Sequence, residues 1–331
     1  MEGLTRPLPN VPRSSPNCES RRFFGAGEVL FSQFGEDVGE DVGEEDGEED
    51  GGRFNGGMIL SPLARLNDGH SIPQLGLGVY KVPDATAADT VQIALAAGYR
   101  HLDTAALYDN ETGVGQGLAR SGLPREDVFV TTKVWNDRHG YDETRRAFDE
   151  SLGKLGLDYV DLYLIHWPAP RQDRYLETWR ALEVLRAEGR ARSIGVSNFH
   201  PHHLDRLRAE SALTPVINQV ELHPWLQQAA VREYGVAHGI LTEAWSPLAR
   251  GRAIGNATLD RIGARHAKTA AQVVIRWHLQ LGNVVIPKSV TPVRIRENLD
   301  VFDFSLDEGD LAAIGALDSG ERTGKDPDDL D

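Results

Sequence analysis

Four side chains stand at intervals that suit proton transfer to a carbonyl group. Asp103 closes the apolar run in "YRHLDTAALYDNE" (99–111) and Tyr108 lies just beyond it; Lys133 closes "VFVTTK", and His166 follows "VDLYLI". A buried ammonium needs a partner, and Asp103 can supply it. A phenol beside that ammonium ionises more readily, so Lys133 is expected to lower Tyr108 from its reference value of about 10 toward the working range. A tyrosine tuned this way gives a proton to a carbonyl oxygen as hydride reaches the carbon, and reverses the step for an alcohol. His166 can orient the same oxygen by a hydrogen bond. No nucleophile is required.

Taken singly, each residue has an ordinary explanation. An aspartate at a strand end commonly caps a turn, and a lone lysine is usually a solvated charge. His166 before Trp167-Pro168 reads as a structural imidazole. Turn chemistry, however, has no reason to place a lysine and a histidine at the same end of consecutive strands. The question becomes whether the chain has elements that bring those ends together.

It does. "LARLNDGHSIPQ" (63–74) reads as a β-hairpin with an Asn-Asp-Gly turn. Strands are then predicted over 75–79, 99–103, 128–133, 160–165, 192–196, 216–220, 240–245 and 284–286. Helical patterns fall near 84–97, 111–121, 142–155, 174–188, 201–210, 227–238, 257–281 and 291–299. Asp84 and Asp142 suit helix starts, and Gly98, Gly189 and Gly239 suit stops. Eight strand–helix repeats predict a closed (β/α)8 TIM barrel behind an N-terminal hairpin. In that fold the chemistry sits at the carboxyl ends of the strands. The later ends carry Ser197-Asn198, Gln219, Trp245-Ser246 and Lys288-Ser289. A doubly wound sheet is the rival, but no G-x-G-x-x-G follows a strand; "GVGQG" (113–117) has the wrong spacing and reads as close helix packing.

The first 57 residues are different in kind. "GEDVGEDVGEEDGEEDGG" (35–52) is acidic and glycine-rich and cannot bury enough apolar surface to offset its chain entropy. Residues 1–57 are therefore expected to be a disordered acidic extension, or the product of a start placed upstream of the natural one, with the barrel spanning 58–331. The extension holds 13 acidic and five basic residues, so −8 of the chain's net −15 resides there. That balance argues against nucleic acid as a partner. No run of 18 apolar residues predicts a transmembrane helix. "SRRFFG" (20–25) only faintly matches an export signal, and with Cys18 as the one cysteine a cytoplasmic monomer is expected. No metal is expected. "HPHH" (200–203), which a metal-dependent hydrolase would want, opens a helix and reads as helix-start surface.

With these residues in hand, the chain resembles the aldo-keto reductases over 59–318. "GYRHLDTA" (98–105), "RSIGVSNF" (192–199) and "IPKSVTPVRIRENLDVF" (286–302) are similar to that family's signature regions, and Asp103, Tyr108, Lys133 and His166 match its catalytic positions in type and order. Within the family, the "AWSPLARG" loop and "ENLDVFDFSL" look most like the bacterial 2,5-diketo-gluconate reductase branch. The resemblance implies an NADPH-dependent reductase of aldehydes, ketones or diketo-sugars, with Tyr108 as proton donor and the cofactor bound without a Rossmann domain. It implies that Ser197, Asn198 and Gln219 hold the nicotinamide carboxamide and that Trp245 stacks on the ring. Ser246, Leu248 and Gly251 would lie over the pyrophosphate. Lys288, Ser289 and Arg294 would grip the 2′-phosphate, with Val290 among the cofactor contacts and Glu297 and Asn298 at the adenine. Thr291 stands where relatives often have a second arginine, which makes NADH a weaker alternative cofactor.

Tyr80, Trp135 and Trp167, with His166, are the expected substrate wall, an aromatic lining suited to small carbonyl compounds. The final segment "SGERTGKDPDDLD" (319–331) is polar and short, so the substrate end is expected to be open. The runner-up function is a cofactor-binding regulatory barrel like the potassium-channel β subunits, which keeps the same residues with little turnover.

Overall fold

Eight short, largely buried runs form strands that pair in chain order, each parallel to the next. The computed structural model describes residues 60–330; the acidic extension, and the disorder expected of it, lie outside the described residues. A hairpin comes first, β1 (Leu63–Arg65) antiparallel to β2 (Ser71–Pro73), turning through Gly69 at φ 92°. The barrel strands are β3 (Leu77–Gly78), β4 (His101–Asp103), β5 (Phe129–Val134), β6 (Val160–Ile165), β7 (Ala191–Ser197), β8 (Ile217–Glu221), β9 (Leu241–Trp245) and β10 (Val284–Val285). Bridges between Leu75 and Val285 and between Gly78 and Lys288 join first strand to last and close the ring. The (β/α)8 expectation holds.

The strand period of two separates two apolar layers. On β6, Leu162 and Leu164 face inward with Ile217, Val284 and the hairpin's Leu66 and Ile72. Tyr163 and Ile165 face outward into the main core beneath the helices. The hairpin closes the amino-terminal end of the barrel: Asn67 Nδ2 donates to the carbonyls of Pro215 and Gly239 at 3.0 Å each, just ahead of β8 and β9. With that end plugged, the carboxyl ends are the open face.

Helices α1 (Asp84–Ala97), α2 (Glu111–Ser121), α3 (Tyr141–Leu155), α4 (Tyr175–Ala187), α5 (Pro201–Glu210) and α6 (Ala229–His238) follow the expected spans closely. Gly98 and Gly239 end their helices in the left-handed region, as a C-terminal glycine does. Gly115 of α2 lies against the Leu155 carbonyl so tightly that a Cβ has no room. The glycines of "GVGQG" are thus packing glycines. The helix expected over 257–281 is two: α7 (Ala257–His266) and α8 (Ala270–Gln280). Ala267 takes φ 54°, and Thr269 opens α8 with a capping box to Gln272. That Thr-x-x-Gln signal outweighs the continuous apolar period. After α9 (Pro292–Leu299) comes α10 (Glu308–Gly315), too short to announce itself by periodicity. No helix among the described residues is long and apolar enough to cross a membrane.

Candidate active site

The floor of the open end is made by inward side chains of β4, β5, β8 and β9. Asp103 is the last residue of β4, and Lys133 points inward from β5. Lys133 is fully buried, and each of its three donors has a target: Asp103 Oδ1 at 2.6 Å, the Thr104 carbonyl at 2.9 Å and the Tyr108 hydroxyl at 3.5 Å. Tyr108 reaches that point because a short 3-10 turn (Ala106–Tyr108) follows β4. That turn is held by Asn110, which accepts from Thr104 and donates to the carbonyls of Val79 and Val82. Burial opposes charge on Lys133, yet Asp103 and Tyr108 outweigh it and hold the ammonium above its usual range. Burial raises Asp103 against the pull of Lys133.

Tyr108 corrects the expectation from the sequence. Burial pushes its phenol up to about 12, although Lys133 pulls it down as anticipated. Desolvation wins because the ammonium is already neutralised by Asp103, whose own charge raises the phenol further. The group is therefore a phenol with its proton in place at neutral pH. His166 is held well below the ordinary histidine range, by burial first and by Lys133 second, and stays neutral. Its ring meets Tyr108 and Trp135 edge-on, with centroids 5.6 and 5.1 Å away.

Above this floor lies a cavity of about 270 Å³. Asp103, Tyr108 and His166 line it, together with Tyr80, Trp135 and Trp167. So do Ser197, Asn198, Gln219 and Trp245. These last four form one network. Ser197 Oγ donates to the Gln219 carbonyl at 2.7 Å, Asn198 Nδ2 donates to the His166 carbonyl at 3.0 Å, and Trp245 Nε1 donates to Asn198 Oδ1 at 2.9 Å. Asn198 (φ 63°) and Ser246 (φ 51°) hold left-handed backbone at the ends of β7 and β9. Such conformations persist where surrounding contacts enforce them, commonly at ligand sites.

A groove of about 900 Å³ runs on from the cavity and shares Tyr80, Ser246, Arg250 and Lys288 with it. Leu248, Gly251, Ser289, Val290, Arg294, Glu297 and Asn298 all line it, as does Thr291, the N-cap of α9. Lys288, Arg294 and Arg250 are exposed there and have no hydrogen-bond or ion-pair partner among the described residues. Three unengaged cations along one groove suit an elongated ligand carrying phosphates.

Comparison with known proteins agrees. Residues 73–319 match the Aldo/keto reductase family. The chain belongs to the aldo/keto reductase family. It is 53% identical to an aldo-keto reductase of Mycolicibacterium smegmatis over 81% of this chain and 98% of that one. It is 51% identical to the methylglyoxal reductase DkgA of Escherichia coli, over 80% and 96% of the two chains. The crystal structure of a Gox0644 mutant in complex with NADPH superposes with a TM-score of 0.79 and 49% identity, over 82% of this chain and 99% of that one.

In this aldo-keto reductase the C-terminal segment departs from its expected role. Rather than leaving the substrate end open, it crosses the cavity mouth and contributes Gly324, Lys325 and Leu330 to the lining. Its polar composition hid this, because its anchors are polar. Glu221, buried at the end of β8, accepts from the backbone of Thr323 (2.6 Å) and Gly324 (3.0 Å) and from His223 (3.1 Å). Those donors outweigh burial and hold the Glu221 carboxyl down at about 2. A Cβ at Gly324 would lie 2.6 Å from the Trp245 ring, so a larger residue there would displace the indole.

The "HPHH" histidines anchor the same segment. His200 Nε2 meets Asp326, and His202 and His203 meet Asp328, each at 3.2 Å. His203 is buried, not surface. Its Nδ1 accepts the His200 N–H at 3.1 Å, which places the ring's proton on Nε2, 3.2 Å from Asp328 though without a hydrogen bond to it. The ring is thereby set as a donor rather than a metal ligand, although His202, His203 and Asp328 bring ligand atoms within 4.8 Å of one another. The sequence reading missed Arg250 and this strap. Arg250 was legible only as one basic residue of a loop, and the strap's contacts lie about a hundred residues away along the chain.

Proposed function

We propose that this enzyme reduces small aldehydes and ketones with NADPH, using Tyr108 as proton donor. The observation that carries the reading is the Lys133 ammonium set between Asp103 and Tyr108 on the floor of an aromatic-walled cavity. NADPH fits the adjoining groove by charge and by shape. Lys288 and Arg294 would grip its 2′-phosphate, helped by the Ser289 hydroxyl, with Val290 lining the groove beside them, while Arg250, Ser246, Leu248 and Gly251 would border the pyrophosphate. Glu297 and Asn298 would meet the adenine. Ser197, Asn198 and Gln219 would hold the carboxamide, and Trp245 would back the ring. Thr291 supplies no cation, so NADH is expected as a weaker alternative.

When bound, NADPH supplies the hydride that the carbonyl carbon receives. The protein's part is protons and placement. Tyr108 gives its proton to the carbonyl oxygen, and the phenolate left behind is stabilised by the ammonium 3.5 Å away. Asp103 keeps Lys133 charged and aimed. His166, neutral, offers a ring N–H to the same oxygen. Tyr80, Trp135 and Trp167 exclude water and hold the rest of the substrate. A cavity of about 270 Å³ under a strap favours compact substrates. The Escherichia coli relative is named for methylglyoxal, and small dicarbonyls of that kind are the first substrates to try, with diketo-sugars second.

Tyr108→Phe tests the reading. Carbonyl reduction is expected to fall by about three orders of magnitude or more while the NADPH dissociation constant changes less than about twofold. A variant that loses cofactor affinity and turnover alike would assign Tyr108 to binding. Undiminished turnover would remove it from the chemistry.

A further inference from the structure

The floor holds a second carboxyl that the reaction above does not use. Glu243 projects from β9 beside Gln219, its register neighbour on β8, and is completely buried. We infer that Glu243 is a positioning residue of the reduction: bonded to the Gln219 amide, it turns that amide's oxygen toward the nicotinamide subsite and stores the floor's spare proton. The inference rests on the reading of Gln219 as a carboxamide ligand.

The first argument is hydrogen-bond counting. An amide nitrogen has two N–H groups. Gln219 Nε2 spends one on Asp103 Oδ2 and the other on Glu243 Oε2, both at 2.8 Å. With one N–H held by the Asp103 carboxylate, the amide cannot flip without setting its oxygen against that anion. Its Oε1 is left with no donor among the described residues, and the side chain lines the cavity. Oε1 is therefore the atom offered to a ligand, and it accepts from an N–H such as a carboxamide carries.

The second argument is charge counting. The groups facing Glu243 are Asp103 and His101 from β4, Lys133 from β5 and Gln219 from β8; β10 presents Val284 and Val285. His101 is pushed down to about 3 by burial and is neutral. Two carboxylates and one ammonium would leave a net buried negative charge, which is costly. Asp103 has the ammonium at 2.6 Å, and Glu243 has no cation in contact. The proton that balances the floor therefore sits on Glu243. In keeping with this, burial and the nearby Asp103 push Glu243 up to about 8. Its Oε1, 3.8 Å from His101 Nε2, has no hydrogen-bond partner and can carry the proton. Above that pH a second anion appears beneath the site. It opposes formation of the Tyr108 phenolate, so the rate falls. Tyr108 itself, at about 12, does not titrate in this window.

The test is kcat/KM for methylglyoxal reduction from about pH 6 to 10, with NADPH affinity read by tryptophan quenching, on the full chain. The wild type is expected to lose rate through an inflection near pH 8. Glu243→Gln, which keeps an acceptor for Gln219 but cannot ionise, is expected to abolish that inflection with NADPH affinity within about twofold of wild type. Glu243→Leu, which removes the tie, is expected to weaken NADPH at least about fivefold. A wild type without the inflection, or a Glu243→Gln enzyme that retains it, overturns the inference, as does a folded Glu243→Leu enzyme with native NADPH affinity. If Glu243→Leu does not fold, the Glu243→Gln profile decides alone. Gln219→Ala separates the underlying reading: unchanged NADPH affinity there sinks the carboxamide role, whatever Glu243 does.

Discussion

The cavity floor and the outer groove both depend on positive charge, and they treat it in opposite ways. On the floor, Lys133 is fully buried and spends all three donors inside the protein. In the groove, Lys288, Arg294 and Arg250 are exposed and bind nothing among the described residues. The difference follows from solvent. A buried ammonium without a partner costs several kcal/mol, so the fold must satisfy it before any ligand arrives. An exposed guanidinium is satisfied by water at little cost and can keep its donors for a phosphate. Charge is thus preorganised where water is excluded and left uncommitted where water reaches it.

The comparison is most sharply broken at Lys133. Lys133→Met leaves Asp103 buried beside Glu243 with no ammonium, and turnover is expected to fall about 10³-fold or more, with a stability loss of about 3–5 kcal/mol. Steady-state kinetics and thermal melting check both. Native turnover with an intact pH profile would dismantle the floor as described. The groove should respond differently. Lys288→Ala and Arg294→Ala are each expected to raise the KM for NADPH by about tenfold, with kcat, melting temperature and the KM for NADH nearly unchanged. Equal effects on both cofactors would place those cations away from the 2′-phosphate.

Glu221 lies between the two regimes, a buried carboxylate whose donors come from His223 and the C-terminal strap. Its folded value, about 2, lies below the ordinary 4.5, so its contribution is present above about pH 5 and lost as pH falls toward 2. At about 1.4 kcal/mol per unit, that is worth up to roughly 3 kcal/mol. Glu221→Gln should flatten the acid limb of stability, measured by urea midpoints between about pH 5 and 2. The smallest effect is expected at Leu330, half-buried at the cavity mouth. Leu330→Ala should change KM for small dicarbonyls by about two- to threefold and leave NADPH binding alone.

Most of the floor was legible from residue types at strand ends. Asp103, Lys133 and His166 end or follow runs whose period of two marks them as strands, and a common end for successive parallel strands is a property of the βα repeat. Glu243 was not legible in the same way. "LTEAW" places a glutamate inside a strand, where local pattern cannot tell an inward carboxyl from an outward one near a barrel rim. Its meaning depends on Gln219, 24 residues earlier, and on Asp103, in contact only through the closed ring. The strap was illegible for a related reason. Its anchors to Glu221, His200 and His203 are polar, and a polar segment has no periodic signature to distinguish a tethered path from a free one.

Local pattern along the chain was enough to establish the barrel, the order in which its strand ends deliver side chains, and the identities of the acid, the ammonium and the phenol. Those are local properties, carried by period and residue type. The direction in which Tyr108 titrates, the partner of Glu243 and the path of the strap emerge only in the folded chain. Each is a balance between desolvation and contacts among residues far apart in the chain, and that balance does not exist until the ring has closed.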